Sequence, residues 1–115
     1  MGRPGPKPRP ALVVDVGSMG SAPAVEVVYG TSHKLDRLFA GGFAITPADG
    51  AAFRESGLEF PTKFDTTRSV FLPYNDNWFG VPPHAPHGQT PRLGVLHPSL
   101  MHRAQAAFNA ARRRR

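Results

Sequence analysis

Arg9 stands directly before an apolar run, Pro10-Ala11-Leu12-Val13-Val14. Thr31-Ser32 stands directly after a second one, Val25-Glu26-Val27-Val28-Tyr29-Gly30. If the two runs are neighbouring strands, one guanidinium and two hydroxyls meet at one end of a sheet. A guanidinium makes paired, charge-assisted hydrogen bonds to phosphate oxygens. Hydroxyls can donate to the same oxygens or position an attacking group. The set suits a phosphodiester better than a metal, a nucleotide cofactor or a lipid. Each group also has an ordinary explanation. Arg9 can be a surface cation ending a Pro-rich arm, and hydroxyls after a strand bond nearby backbone.

Other residues extend either reading. His33 follows the Thr-Ser pair and can carry a proton near neutral pH, or simply be an exposed loop histidine. Lys7, Lys34 and Arg37 flank the pair and can hold phosphates or be solvated charges. Tyr29, Tyr74, Trp78 and Phe79 can stack on unpaired bases, or pack a core. His84, His87, His97 and His102 raise the question of a metal. The first two lie three apart in a Pro-rich loop, with no cysteine and no clear carboxylate beside them. A zinc site needs about four ligands in fixed geometry, so neither a metal nor another cofactor is expected.

The elements that must position these groups are short. The chain has 115 residues, with 12 Gly and 13 Pro, which favours strands and turns over a helical bundle. No cysteine is present, which excludes disulfides and thiolate metal sites and fits a cytoplasmic setting. No apolar run approaches the roughly 20 residues that span a membrane, so no membrane partner is expected. The formal charge is +6, and four of those charges are Arg112 to Arg115, leaving +2 for the rest. A basic balance favours polyanionic partners, but a run of arginines also serves as a solvated tail.

Residues 1–9, with Pro at every second position from 4 to 8, read as a basic extended arm, and 10–111 as one domain. Strands are expected at 11–16 and 25–29, joined by a turn over 17–22. Residues 32–40 are ambiguous, and a third short strand follows at 43–45. Thr46-Pro47-Ala48-Asp49 signals a helix start: a capping hydroxyl, Pro at the first position and an acid three residues on. That helix should run to Ser56 and stop at Gly57. Residues 59–64 and 68–72 read as two strands separated by Asp65-Thr66-Thr67. A last helix should open at Pro98-Ser99 and bury Leu100, Ala104, Ala107, Phe108 and Ala111.

The Lys7-x-Arg9-Pro10-Ala11-Leu12-Val13-Val14 run, followed by a strand closing on Gly30-Thr31-Ser32, resembles the PemK/MazF family of toxin endoribonucleases. Ser56-Gly57-Leu58, Thr62-Lys63-Phe64-Asp65, Leu72-Pro73-Tyr74-Asn75 and Trp78-Phe79 resemble later segments of that family, over roughly residues 5 to 80. The resemblance implies a mainly β fold: a small SH3-like β-barrel with short helices and a C-terminal helix, acting as a homodimer. It implies cleavage of single-stranded RNA without metal, and control by a cognate antitoxin. It assigns Arg9 and Thr31 as catalytic, with Asp65 and Arg68 as candidates for a third position. Family members carry a further strand before the Lys-x-Arg-Pro segment, whereas six residues precede Lys7. The implied barrel therefore lacks its first strand and presents an unpaired edge.

The chemistry implied is attack of a 2′-hydroxyl on the adjacent phosphorus, which expels the 5′-oxygen and leaves a 2′,3′-cyclic phosphate. Arg9 would stabilise charge on the phosphoryl oxygens, and Thr31 would hold the phosphate or align the hydroxyl. Lys7, Ser32, His33, Lys34, Arg37, Asp65, Arg68 and Trp78 are the candidates for contacting RNA. Two alternatives stand beside this. One is a non-catalytic binding module of the same fold, of the topoisomerase-inhibiting kind. The other is an inactive, truncated relative.

Overall fold

A computed structural model of the chain describes residues 9–33, 35–36, 40–75, 78–80, 87–88 and 90–113. Lys7, Lys34, Arg37 and His84 lie outside the described residues. The fold is mainly β. Strands β1 (Ala11–Met19), β2 (Ala22–Thr31), β3 (Gly42–Ile45) and β4 (Thr62–Pro73) form one antiparallel, half-barrel sheet in the order β1-β2-β4-β3. Helix α1 (Ala51–Ser56) and helix α2 (Met101–Arg113) complete it, each preceded by a 3-10 turn, at Pro47–Asp49 and Pro98–Leu100.

Several expected boundaries shift. The turn expected over 17–22 is a two-residue hairpin, because Gly17, Ser18 and Met19 pair with Ala24, Pro23 and Ala22. The two strands expected on either side of Asp65-Thr66-Thr67 are one strand of 12 residues. Its polar middle is tolerated because it is hydrogen-bonded. The Thr66 backbone N–H and hydroxyl both donate to the Gly41 carbonyl, each at 2.7 Å. The strand bends instead of breaking. Val28 of β2 faces Ser69, while Gly30, two residues on, faces Phe64, so residues 65–68 form a bulge against β2 beside Tyr29.

Alternation along β2 divides its valines between two cores. Val28 packs with Phe43, Ile45, Phe64 and the helical residues Ala52, Leu100, Ala104 and Ala107. Val25 and Val27 pack with Leu72 on the other face, where Ala11, Trp78 and Phe79 partly cover them. Phe43 and Phe64, opposite one another in β3 and β4, stack with ring centroids 5.5 Å apart. The last helical segment buries the face expected of it, through Leu100 of the 3-10 turn and Ala104, Ala107 and Ala111 of α2, with Phe108 half-buried. It runs through Arg113, so Arg112 and Arg113 occupy its last turn. Cations there complement the partial negative charge of the helix C-terminus.

The helix start read from Thr46 to Asp49 is a capping box. The Thr46 hydroxyl accepts from the Ala48 N–H at 3.2 Å, and the Asp49 carboxylate accepts from the Thr46 N–H at 2.9 Å. The turn it caps is 3-10, and α1 follows it and ends at Gly57. Asp49 has a second task. Its two oxygens take Nη1 and Nη2 of Arg103 at 2.9 and 3.0 Å, and the same Nη1 donates to the Ala44 carbonyl at 2.8 Å. One guanidinium thus ties α2 to β3 and to the capping box.

Two outcomes follow from these contacts. Gly41 has φ +94°, and a Cβ there would stand 2.6 Å from the Thr67 methyl. Gly41→Ala should therefore lower unfolding stability by about 1–3 kcal/mol, read from urea denaturation. An unchanged midpoint would remove Gly41 from the account of β4's bend. The second concerns Asp49, whose carboxyl is held below its ordinary value by the Arg103 hydrogen bonds and then by the Thr46 N–H. A carboxyl depressed in the folded state stabilises fully above its unfolded value, near pH 4, and loses that contribution as pH falls through the folded value. Asp49→Asn should cost about 1 kcal/mol at pH 7, and the gap to wild type should close on acidification below about pH 4. A gap that stays constant with pH would mean the carboxylate is not its cause.

Candidate functional site

The site is built by the β1–β2 pairing. Ala11 lies opposite Tyr29, and the Gly30 N–H donates to the Pro10 carbonyl at 2.8 Å. Continuing that register by one residue sets Arg9 opposite Thr31. Because the Gly30 N–H bonds the Pro10 carbonyl, the next position along that register is one where opposed residues are not bonded to each other and side chains come closest. Proline at position 10 offers only its carbonyl to the ladder, which suits a residue leading into a strand.

The next strand adds a group that the sequence reading passed over. Thr31 lies opposite Lys63 of β4, and Lys63 opposite Ala44 of β3. Thr31 and Lys63 therefore oppose one another on β2 and β4, and extending the β1–β2 register beyond Ala11 brings Arg9, just before β1, into the same row. Directly opposed residues share a sheet face, so all three lie on the face away from α2. Lys63 stood within the quoted Thr62-Lys63-Phe64-Asp65 segment, but nothing in the linear order aligns it with Thr31. Only the β2–β4 register does.

Gly30 makes that register possible. A Cβ at position 30 would stand 2.5 Å from the Thr62 methyl and 2.9 Å from the Phe64 ring. Glycine lets the Phe64 ring lie across the strand, directly beneath the backbone that carries Thr31.

Thr31 is half-buried, whereas Arg9, Ser32 and His33 are exposed. The Thr31 Oγ1 accepts from the His33 N–H at 3.2 Å. The ordinary turn chemistry expected after a strand is thus present. It uses one lone pair and leaves the hydroxyl hydrogen for another acceptor. Asp65 and Arg68 lie on the β4 bulge. The Asp65 Oδ1 accepts from the Thr67 N–H at 3.0 Å and from its hydroxyl, and Oδ2 is 3.9 Å from Nε of Arg68. Arg68 projects into solvent with its side chain 88% exposed, so this ion pair binds it weakly and its charge stays accessible.

Trp78 is half-buried against the Val25–Val27–Leu72 cluster, together with Ala11 and Phe79. Phe79 in turn touches Tyr74, with ring centroids 5.4 Å apart. Trp78 therefore serves the packing on the face that carries Arg9 and Thr31. Tyr29, next to Thr31 and on the same face, is 42% exposed. His97 caps the turn before α2: its Nδ1 accepts from the Ser99 N–H at 3.0 Å, and Nε2 lies 3.5 Å from a Glu55 oxygen. Among the described residues, no three histidines or carboxylates come together as metal ligands. No helix of the described residues is long and apolar enough to cross a membrane.

No protein-family model, curated protein or solved structure matches the chain. A guanidinium, an ammonium and a hydroxyl in one row offer positive charge and hydrogen-bond donors to the oxygens of a phosphodiester.

The chain has no cysteine, which makes the pairing directly testable. The double variant Arg9→Cys, Thr31→Cys should close a disulfide on mild oxidation, since directly opposed strand residues fall within disulfide reach. Mass spectrometry under non-reducing conditions reads the bond. A pair that stays reduced, while Arg9→Cys closes onto Ser32→Cys, would show a register slipped by one residue.

Proposed function

We propose that the chain is a metal-independent endoribonuclease of the PemK/MazF toxin kind, which cuts single-stranded RNA at specific sequences. The observation that carries this reading is the row of Arg9, Thr31 and Lys63 at one end of the sheet, on the same face as the exposed ring of Tyr29. The row suits a phosphate, and the ring suits an unstacked base beside it.

In the proposed reaction the 2′-oxygen bonds to the adjacent phosphorus and gives up its proton. The bond from phosphorus to the 5′-oxygen breaks, and that oxygen takes up a proton. The products are a 2′,3′-cyclic phosphate and a 5′-hydroxyl, and no water is consumed. Arg9 and Lys63 offset the charge gathering on the non-bridging oxygens. The Thr31 hydroxyl donates to one of them, or to the 2′-oxygen, and so fixes the line of attack. Guanidinium is a poor base, because it holds its proton far above neutral pH. His33 is the nearer choice to move a proton, being exposed and held to Thr31 through its backbone. RNA lies across Tyr29 and the strand ends, with Ser32, Arg68 and Asp65 at the margin. A cognate antitoxin and a second copy of the chain are the protein partners this reading implies.

A non-catalytic binding module of the topoisomerase-inhibiting kind is the second reading. It is favoured by the exposed apolar residues on the same sheet face, Val13, Val16 and Val70, with Val16 72% exposed.

Incubation with a long mixed-sequence RNA in EDTA separates the two. Wild type should yield discrete cuts ending in 2′,3′-cyclic phosphate, and Arg9→Ala should slow them about 10²–10³-fold without altering the melt. Thr31→Ala and Lys63→Ala should each reduce the cleavage rate. Absence of cuts from folded wild type would favour the binding module. Undiminished cutting by Arg9→Ala would refute the site.

A further inference from the structure

Tyr29 lies between a small residue and a bulge. In β1 its partner is Ala11. Toward β4, Val28 faces Ser69 and Gly30 faces Phe64, so Tyr29 meets residues 65–68. We propose that Arg68, on that bulge, reads a guanine stacked on Tyr29 and makes the bound single strand guanine-selective. This rests on the ribonuclease reading and deepens it: the guanine neighbours the phosphate held by Arg9, Thr31 and Lys63.

Three features carry it. The first is the face that the bulge presents. Phe64, before it, packs into the core shared with α2. Ser69, after it, opposes Val28 of that same core and so shares its side of the sheet. Asp65 follows Phe64, and Arg68 precedes Ser69. Strand alternation turns both to the other face, that of Tyr29 and Thr31. Tyr29 and Thr31 are two residues apart, about 7 Å along the strand. A base stacked on the ring thus belongs to a nucleotide whose phosphate is at the row or next to it.

The second is access. Alanine opposite the ring leaves it open, and Tyr29 is 42% exposed. Asp65 approaches Arg68 at Nε, the nitrogen nearest the stem, at 3.9 Å, and the Arg68 side chain is 88% exposed. The fork of Nη1 and Nη2 is left to solvent beside the ring.

The third is charge. Asp65 is fixed in place by the N–H and hydroxyl of Thr67. A carboxylate held there disfavours a phosphate at Arg68 and tolerates a neutral base. Guanine presents two neighbouring acceptors, O6 and N7, which take both arms of a guanidinium. Adenine sets an amino donor beside N7, and a pyrimidine has no N7.

The probes are fluorescein-labelled heptamers of 2′-fluoro-uridine with one central guanine, adenine, hypoxanthine or 7-deazaguanine. They lack the attacking 2′-hydroxyl, so anisotropy titration of the full chain in EDTA reads binding without cutting. Hypoxanthine keeps O6 and N7, whereas 7-deazaguanine loses N7. The guanine and hypoxanthine oligomers should bind about tenfold tighter, or more, than the other two. Arg68→Lys keeps the charge but loses the fork. It should bind all four alike, with an unchanged thermal melt because the side chain is exposed. Equal binding of guanine and 7-deazaguanine by wild type would overturn the assignment, and so would a guanine preference that survives in Arg68→Lys. An Arg68→Gln loss equal for all four would make Arg68 a phosphate contact instead. RNA cuts that depend on Arg9, without guanine preference in binding, would keep the ribonuclease reading and discard this one. A guanine preference without cuts would do the reverse, and neither binding nor cuts would discard both.

Discussion

The position of the Phe64 ring sets the register on which the rest of the sheet depends. Phe64 lies opposite Gly30 in β2 and opposite Phe43 in β3, and it reaches the alanine face of α2 through the core they share. A large side chain fits across β2 only where β2 has none, so the glycine and the ring select one another. Truncating such a buried ring typically costs about 3–5 kcal/mol, while a one-residue slip would turn it out of the core altogether. Strand β4 meets this demand at one end and pairs with β2 along the other, and its bulge at 65–68 absorbs the mismatch.

Both edges of the sheet inherit their chemistry from that constraint. With Phe64 against Gly30, the neighbouring positions Lys63 and Thr31 must oppose one another, and Arg9 follows through the Pro10–Gly30 bond. With Phe64 against Phe43, Ala44 must turn its carbonyl away from β4, where Arg103 meets it. The same buried row thus places cations on one face at the β1–β2 end and ties β3 to α2 at the other edge.

Signals written in local order could be read from the chain alone. The capping box at Thr46 and Asp49, the stop at Gly57 and the buried stripe of α2 rest on spacings of three to seven residues, and each lies where that spacing puts it. The apolar runs gave β1 and β2, and hence the prospect of Arg9 meeting Thr31. What escaped depends on partners far apart in sequence. Asp65-Thr66-Thr67 looks like a turn because its residues are polar, yet Thr66 is buried and satisfied by a carbonyl 25 residues away. Gly17 and Ser18 look like turn residues, yet a partner strand holds them extended. Lys63 looks like an ordinary strand lysine until the register aligns it with Thr31. Arg103 looks like one more exposed helical cation, although it binds Asp49, 54 residues earlier.

Trp78 is the chain's only tryptophan, and it leans on the cluster that includes Ala11, two residues along the strand from Arg9. Indole emission depends on the polarity and mobility of its surroundings. The protein therefore carries an intrinsic optical probe on the sheet face where Arg9 and Thr31 lie. Occupancy of that face, or loosening of β1 from β2, becomes visible as a change in colour and intensity without any label.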